Sequence, residues 1–283
     1  MSNQIILDLF KTNAVRVAPA DQPFWYTSGK LGPFYINTHF LLHDEEIANG
    51  VLKHIEASIA EDKLTAPKEI FSVLFGLYHI SPSYKNVIDS IVEAAKKYKF
   101  DIVSGGERRD FIFSMVPAYL LGKAHLTIYK DMTAVYSTSD FHETVNADDV
   151  ILKGKTALHI ADLITEASSY ERAWVPVLKG QNVKITDTVA VVDRHQGGAA
   201  TLEKLGMKME TLVGINEELF AEAKEQGIIN NDQYELVLSF LKDPDKYMKD
   251  FIASHPTFID DQIKLGGKNK ERAELALSKG FCR

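Results

Sequence analysis

The run from Thr156 to Ser169 (TALHIADLITEASS) places one acid, Asp162, at the end of an apolar stretch and three hydroxyls, Thr165, Ser168 and Ser169, in the polar turn that follows. Apolar strand, hydroxyl-rich turn and helix start form a natural anion site, because the first helical amides are free and the helix dipole is positive there. In α/β proteins such crossings, at the carboxyl end of a parallel strand, are where phosphorylated ligands bind. Two further junctions carry charge. Asp101–Asp110 (DIVSGGERRD) runs through Gly105 and Gly106 into Arg108 and Arg109. Those guanidinium groups bind phosphate bidentately, or form a local salt-bridge cluster with the flanking Glu107 and Asp110. Val191–Gly198 (VVDRHQGG) sets Asp193 and Arg194 before two glycines. It is either a ligand-binding turn or a plain strand-to-helix connection.

The elements that must position these residues follow from periodicity. Residues 3–13 have apolar positions at helical spacing, as do 44–61 and 83–98, the last with Val87, Ile91 and Ala94 on one face. Residues 23–40 are aromatic-rich and broken by Gly29, Gly32 and Pro33, which predicts short strands around a tight turn. Residues 66–82, apolar with Gly76 and Pro82, fit neither template. From residue 100 onward strand, turn and helix alternate. Strands are expected at Phe100–Ser104, His125–Tyr129, Ala157–Ile160, Thr188–Val192 and Glu210–Val213. Helices are expected at Arg109–Leu121, from Glu171, and at Ala199–Leu205. Residues 131–150 form a long polar connection. Alternation of this kind implies a twisted, mostly parallel sheet flanked by helices on both faces. The last 65 or so residues are polar and helical in pattern.

The chain has 283 residues, 45% of them hydrophobic, enough for a substantial core. Net charge is −7, so no basic field favours nucleic acid. A single cysteine, Cys282, excludes an internal disulfide and fits a reducing cytosol. The first residues lack the basic start and apolar run of a signal peptide, and no run of about 18 apolar residues would span a membrane. A soluble cytoplasmic protein is expected.

The Thr156–Ser169 run resembles the phosphoribosyl-diphosphate (PRPP) signature of type I phosphoribosyltransferases: an apolar strand, two adjacent acids, two more residues, then a hydroxyl- and glycine-rich loop. Three other segments resemble orotate phosphoribosyltransferases in the same order. Ser28-Gly29-Lys30-Leu31-Gly32-Pro33-Phe34-Tyr35-Ile36-Asn37 looks like the segment whose aromatic pair lies against the orotate ring and whose loop backbone binds its edge. Read without the resemblance, it is equally an aromatic hairpin packed on the core. Asp101–Asp110 looks like the diphosphate turn, and Asp193-Arg194-His195-Gln196-Gly197-Gly198 like the family's Asp-Arg-x-x-Gly-Gly. Together they cover roughly residues 24–215. The resemblance implies a phosphoribosyltransferase-like domain over 1–215 with a small N-terminal hood to about residue 40, and leaves 216–283 as a C-terminal helical extension. It implies Asp162 at the ribose hydroxyls and at Mg²⁺, and Thr165, Ser168 and Ser169 at the 5-phosphate. Arg108, Arg109 and the Gly105-Gly106 amides fall to the diphosphate, with Lys130 as a second catalytic group. Ser28, Gly29, Phe34, Tyr35 and Arg194 fall to the base. A homodimer is implied as well.

The sequence departs from that family at definite places. Ala161 stands where the first acid belongs, Glu166-Ala167 where the loop has a small residue and glycine, and Thr27 where a lysine reaches the diphosphate. The family's lid brings a lysine and a histidine over the departing pyrophosphate. Here 131–150 carries Asp131, Asp140, Glu143, Asp148 and Asp149, with His142 its only cationic candidate. A carboxylate at Glu166 costs a bound phosphate on the order of 1–3 kcal/mol. Two functions are therefore expected as alternatives. One is a divergent Mg²⁺-dependent enzyme moving ribose 5-phosphate from PRPP to orotate or a similar base. The other is a re-purposed, non-catalytic pyrimidine-binding protein on the same fold. A doubly wound protein of unrelated chemistry is a third.

Overall fold

The computed structural model describes residues 2–281; Cys282 lies outside the described residues. The chain divides into two compact units. One takes the stretch up to Ala14 together with Thr38–Ile215, and the other takes Val15–Asn37 with the chain from Asn216 onward.

In the first unit the helices are α1 (Ser2–Lys11), α2 (Glu45–Glu61), α3 (Ala66–Ile80) and α4 (Pro82–Ala95), and then the strand–helix alternation begins. It runs β1 (Ile102–Gly106), α5 (Asp110–Leu120), β2 (Ala124–Ile128), β3 (Ala134–Ser137), β4 (Thr144–Asn146), β5 (Thr156–Ile164), α6 (Val175–Gly180), β6 (Lys184–Asp193), α7 (Gly198–Lys204) and β7 (Lys208–Gly214). The unassigned 66–82 stretch is a helix that stops because Pro82 opens the next one. Ser81 serves both: its amide caps α3 at Leu77 O (2.8 Å) and its hydroxyl accepts from Tyr84 N (3.3 Å).

The sheet order is β7-β6-β5-β1-β2-β3-β4. The strands from β7 to β2 are parallel, and β3 and β4 add on antiparallel. A mostly parallel sheet flanked by helices is what the alternation predicts. β5 lies inside the sheet between β6 and β1 and is buried along nearly its whole length, hence its near-continuous apolar sequence. Chain order runs one way from β1 to β2 and the other way from β5 to β7, so the boundary between β1 and β5 is the topological switch point. Pairing there ends at Ser104 opposite His159, and beyond that pair the two strands separate.

Two segments take their structure from distant parts of the chain. Residues 131–150, a long polar connection by pattern, contain strands of their own. Tyr129 N and Thr133 O close a tight turn at 2.9 Å, and the rest folds as the β3–β4 hairpin. Phe141 holds the hairpin down: it is 1% exposed, with its ring stacked on Phe71 at 4.2 Å. The aromatic segment 15–37 falls in the same unit as the C-terminal helices.

In the second unit two short antiparallel pairs, Val15–Val17 with Phe34–Ile36 and Phe24–Trp25 with Leu31–Gly32, join α8 (Glu217–Glu225), α9 (Asn231–Lys242), α10 (Pro244–Ser254), α11 (Phe258–Leu265) and α12 (Gly267–Ser278). Strands of two and three residues bury too little to stand alone. They gain a core from the helices through the cluster of Leu31, Met248, Phe251 and Ala276, and through Phe34 against Phe220 and Phe240.

Candidate active site

At the carboxyl end of the sheet in the first unit, a cleft of about 360 Å³ lies over the switch point. The β1-to-α5 connection lines one side with Glu107, Arg108, Arg109 and Asp110. The end of β5 and its turn line the other with Asp162, Thr165, Glu166, Ser168 and Ser169, and Lys130 stands at the rim. Seven residues expected to hold PRPP thus converge: Asp162, Thr165, Ser168, Ser169, Arg108, Arg109 and Lys130.

The turn after β5 keeps its shape without glycine at 167. Ala167 adopts φ +57°, a left-handed conformation that costs an L-residue on the order of 1 kcal/mol. The Tyr170 amide then bonds Ala167 O at 3.0 Å, and the chain passes through a π-turn at Tyr170–Trp174 into α6. From the start of α7, Gly198 donates to Thr165 O at 2.9 Å. A Cβ at Gly198 would stand 2.4 Å from Ile164 Cγ2, so only glycine lets α7 press on this turn. Gly198 does this, while Gly197 takes the left-handed φ of +96° just before it. Arg194 joins through its amide to Ile164 O (2.9 Å), but its side chain does not line the cleft.

Gly105 and Gly106 are packing glycines. Ser114 and the Trp174 indole occupy the places where their Cβ atoms would go, each at 2.2 Å. The Gly106 amide is not free for a diphosphate: it donates to Asp110 Oδ2 at 3.1 Å. Across the crevice Asp162 N donates to Asp110 Oδ1 at 3.0 Å. Asp110 therefore clasps the separated ends of β1 and β5.

Asp162 itself is 9% exposed and accepts a hydrogen bond from Thr38 Oγ1 at 2.7 Å. Burial, then the Asp110 charge beside it, push its carboxyl up to about 7, against the opposing pull of Thr38 and Arg109. His39 is held down to about 4, first by burial and then by the Arg109 charge. Arg109 is thus the cation felt inside the cleft. Arg108 is paired with Glu56, and Lys130 with Glu107 at 3.4 Å. Arg108 does form an ion pair, but its partner comes from α2 rather than from the flanking Glu107 or Asp110, and Glu107 meets Lys130 beyond β2 instead. Glu166 is exposed at the rim.

The base-side residues belong to the second unit, apart from Arg194. Phe34 is 2% exposed, with Phe220 and Phe240 rings at 5.0 and 5.4 Å, so its ring is an interior one. Tyr35 is half-buried beside Phe24. The Ser28–Gly29 turn is tied to the helical region: Arg272 donates to Thr27 O at 2.7 Å and Lys279 to Ser28 O at 3.2 Å.

Sequence inspection missed Thr38, Trp174 and the role of Asp110. Thr38 lies 124 positions from Asp162, and no spacing rule connects them.

No family model matches the chain. Curated relatives do. An orotate phosphoribosyltransferase of Saccharolobus solfataricus is 26% identical over 165 residues, covering 58% of this chain and 80% of that protein. An adenine phosphoribosyltransferase of Pelagibacter ubique is 29% identical over 153 residues, covering 51% and 87%. Among solved structures, the UMP synthase of Leishmania donovani superposes with a TM-score of 0.58 at 18% identity, over 85% of this chain and 42% of that one. Fold and cleft define the class: a type I phosphoribosyltransferase-like α/β protein. Within that class the chain is orotate-phosphoribosyltransferase-like.

Proposed function

We propose that the chain is a divergent phosphoribosyltransferase that moves ribose 5-phosphate from PRPP to orotate or a similar base and releases pyrophosphate. The observation that carries this is the convergence, at the switch point, of a buried carboxyl on β5 with a hydroxyl-bearing turn that begins three residues later. Thr165, Ser168 and Ser169 hold the 5-phosphate at the helix start, and Asp162 holds the ribose. Arg109, with Arg108 and Lys130, takes the diphosphate. Displacement at ribose C1 passes through an oxocarbenium-like state, so positioning and neutralisation of the leaving group supply most of the acceleration.

The glutamates that engage Arg108 and Lys130 do not defeat this. Exposed ion pairs of this kind contribute roughly 0–1 kcal/mol, less than a multiply charged diphosphate gains from the same cations. The acidic hairpin 131–150 contributes no residue to the cleft. Magnesium carried by phosphates needs only one or two carboxylates from a protein. Asp162, with Asp110 beside it, meets that need, and no cluster of three His, Cys, Asp or Glu side chains forms a cage among the described residues. Asp162 would hold such an ion, which when bound neutralises the diphosphate. On the base side Ser28, Gly29 and Tyr35 are the candidates, in a cytoplasmic homodimer.

A second reading, a non-catalytic ligand-binding protein, draws on one observation: a tight turn at Tyr129–Thr133 stands where a cationic lid would cover the diphosphate. Pyrophosphate release from PRPP and Mg²⁺, with orotate, with adenine and with no base, separates the two. Base-dependent release supports the enzyme. Binding of PRPP without release under any base supports the alternative.

A further inference from the structure

Asp110 begins α5, sits in the β1–β5 crevice and is 8% exposed. Its two oxygens accept the Gly106 and Asp162 amides, and its carboxyl lies beside that of Asp162. Both carboxyl groups face the cleft. A second carboxylate brought into such a place costs several kcal/mol of desolvation and repulsion unless something uses it. A shorter polar residue accepting the same amides would clasp the strands without that cost.

The surroundings indicate the kind of ligand. His159, on β5, is fully buried; its Nδ1 is 3.0 Å from Ser104 Oγ, while its Nε2, 3.4 Å from Asp110 Oδ2, has no hydrogen-bond partner. An unsatisfied buried nitrogen pointing at this carboxyl marks a polar network completed by something further. Thr38 Oγ1 donates to Asp162 Oδ2. The phosphate turn begins three residues beyond Asp162, so a sugar whose phosphate sits in that turn lies over the carboxyl pair.

We infer that Asp110 and Asp162 together bind the vicinal ribose hydroxyls of a phosphoribosyl ligand, Asp110 supplying from the start of α5 the carboxylate that Ala161 does not supply from β5. The acid pair is split between two elements rather than adjacent in sequence. This rests on the phosphoribosyl reading of the cleft.

The test is calorimetric titration of the full chain with ribose 5-phosphate, 2-deoxyribose 5-phosphate and inorganic phosphate. The wild type is expected to prefer the ribose over the deoxyribose compound by on the order of tenfold, the effect of one hydrogen bond to a charged group. Asp110→Asn should abolish that preference while inorganic phosphate still binds. If Asp110→Asn does not fold, Asp110→Glu takes its place, since it keeps the charge and moves it by one methylene, and the preference should again fall. A folded variant that retains the full preference overturns the split pair and leaves the phosphoribosyl reading standing. A wild type that binds phosphate but neither sugar phosphate overturns both.

Discussion

The amide of Asp162 donates to the carboxylate of Asp110 across 3.0 Å, joining β5 to the start of α5 at the point where β1 and β5 part. The same carboxylate takes the Gly106 amide on the other side. One side chain therefore holds the crevice at a set width and places negative charge in it. Because Asp162 is buried next to that charge, it keeps a proton that an exposed aspartate would release.

That proton links folding to pH. An acid raised from 3.8 to about 7 stabilises the folded state below its unfolded pKa, and the contribution is lost as pH rises through 7. His39 and His125, lowered to about 4 and about 3, act oppositely, adding stability as pH rises towards 6.5. Comparing wild type with Asp162→Asn cancels the histidines. Urea denaturation at pH 5 and pH 8 should show the wild type losing roughly 1–3 kcal/mol relative to the variant. A constant difference between the two proteins would rule out the buried proton.

Ala167 carries backbone strain at φ +57° within the phosphate turn. Ala167→Gly should relieve it and raise stability by about 1 kcal/mol, less the extra freedom glycine gives the unfolded chain. A fall in melting temperature would mean that the Ala167 methyl, buried in the core cluster, outweighs the strain.

Glu166 is exposed at the rim and opposes an incoming anion. Glu166→Gln should tighten inorganic phosphate binding by about threefold at low salt, the gain shrinking at 0.5 M salt as the charge is screened. Titrations at the two ionic strengths check this. Equal affinity of wild type and variant at low salt would place the anion away from this turn.

Phe34 and Tyr35, neighbours in one short strand, should separate function from packing. Phe34→Ala should cost roughly 3–5 kcal/mol because its ring is enclosed by Phe220 and Phe240. Tyr35→Ala should cost far less stability and instead weaken the base dependence of pyrophosphate release. Loss of base dependence in a folded conservative variant such as Phe34→Leu, with Tyr35→Ala unaffected, would reverse the assignment.

Much of the first unit was legible because its signals are local. Period, glycine position and apolar runs depend on neighbouring residues, and they placed the parallel strands, the turn after β5 and the Gly198 contact region. The 131–150 segment misled for a physical reason. Edge strands with one solvated face have polar sequences, and what anchors this hairpin is Phe141 stacking on Phe71, seventy positions away. Residues 15–37 likewise show strand character by themselves, but the core they join is supplied by helices some two hundred residues later.

By itself, the sequence determined the α/β alternation, the position of Asp162 and the hydroxyl turn that follows it, since a strand, a turn and a helix start are properties of contiguous chain. Only the tertiary structure decided that Arg108 and Lys130 meet Glu56 and Glu107, and that Thr38 reaches Asp162. It alone showed that Asp110 bridges the parted strands. Side-chain pairs across a sheet crevice are set by how strands and helices pack, and packing depends on volumes and register summed over the whole core rather than on spacing along the chain.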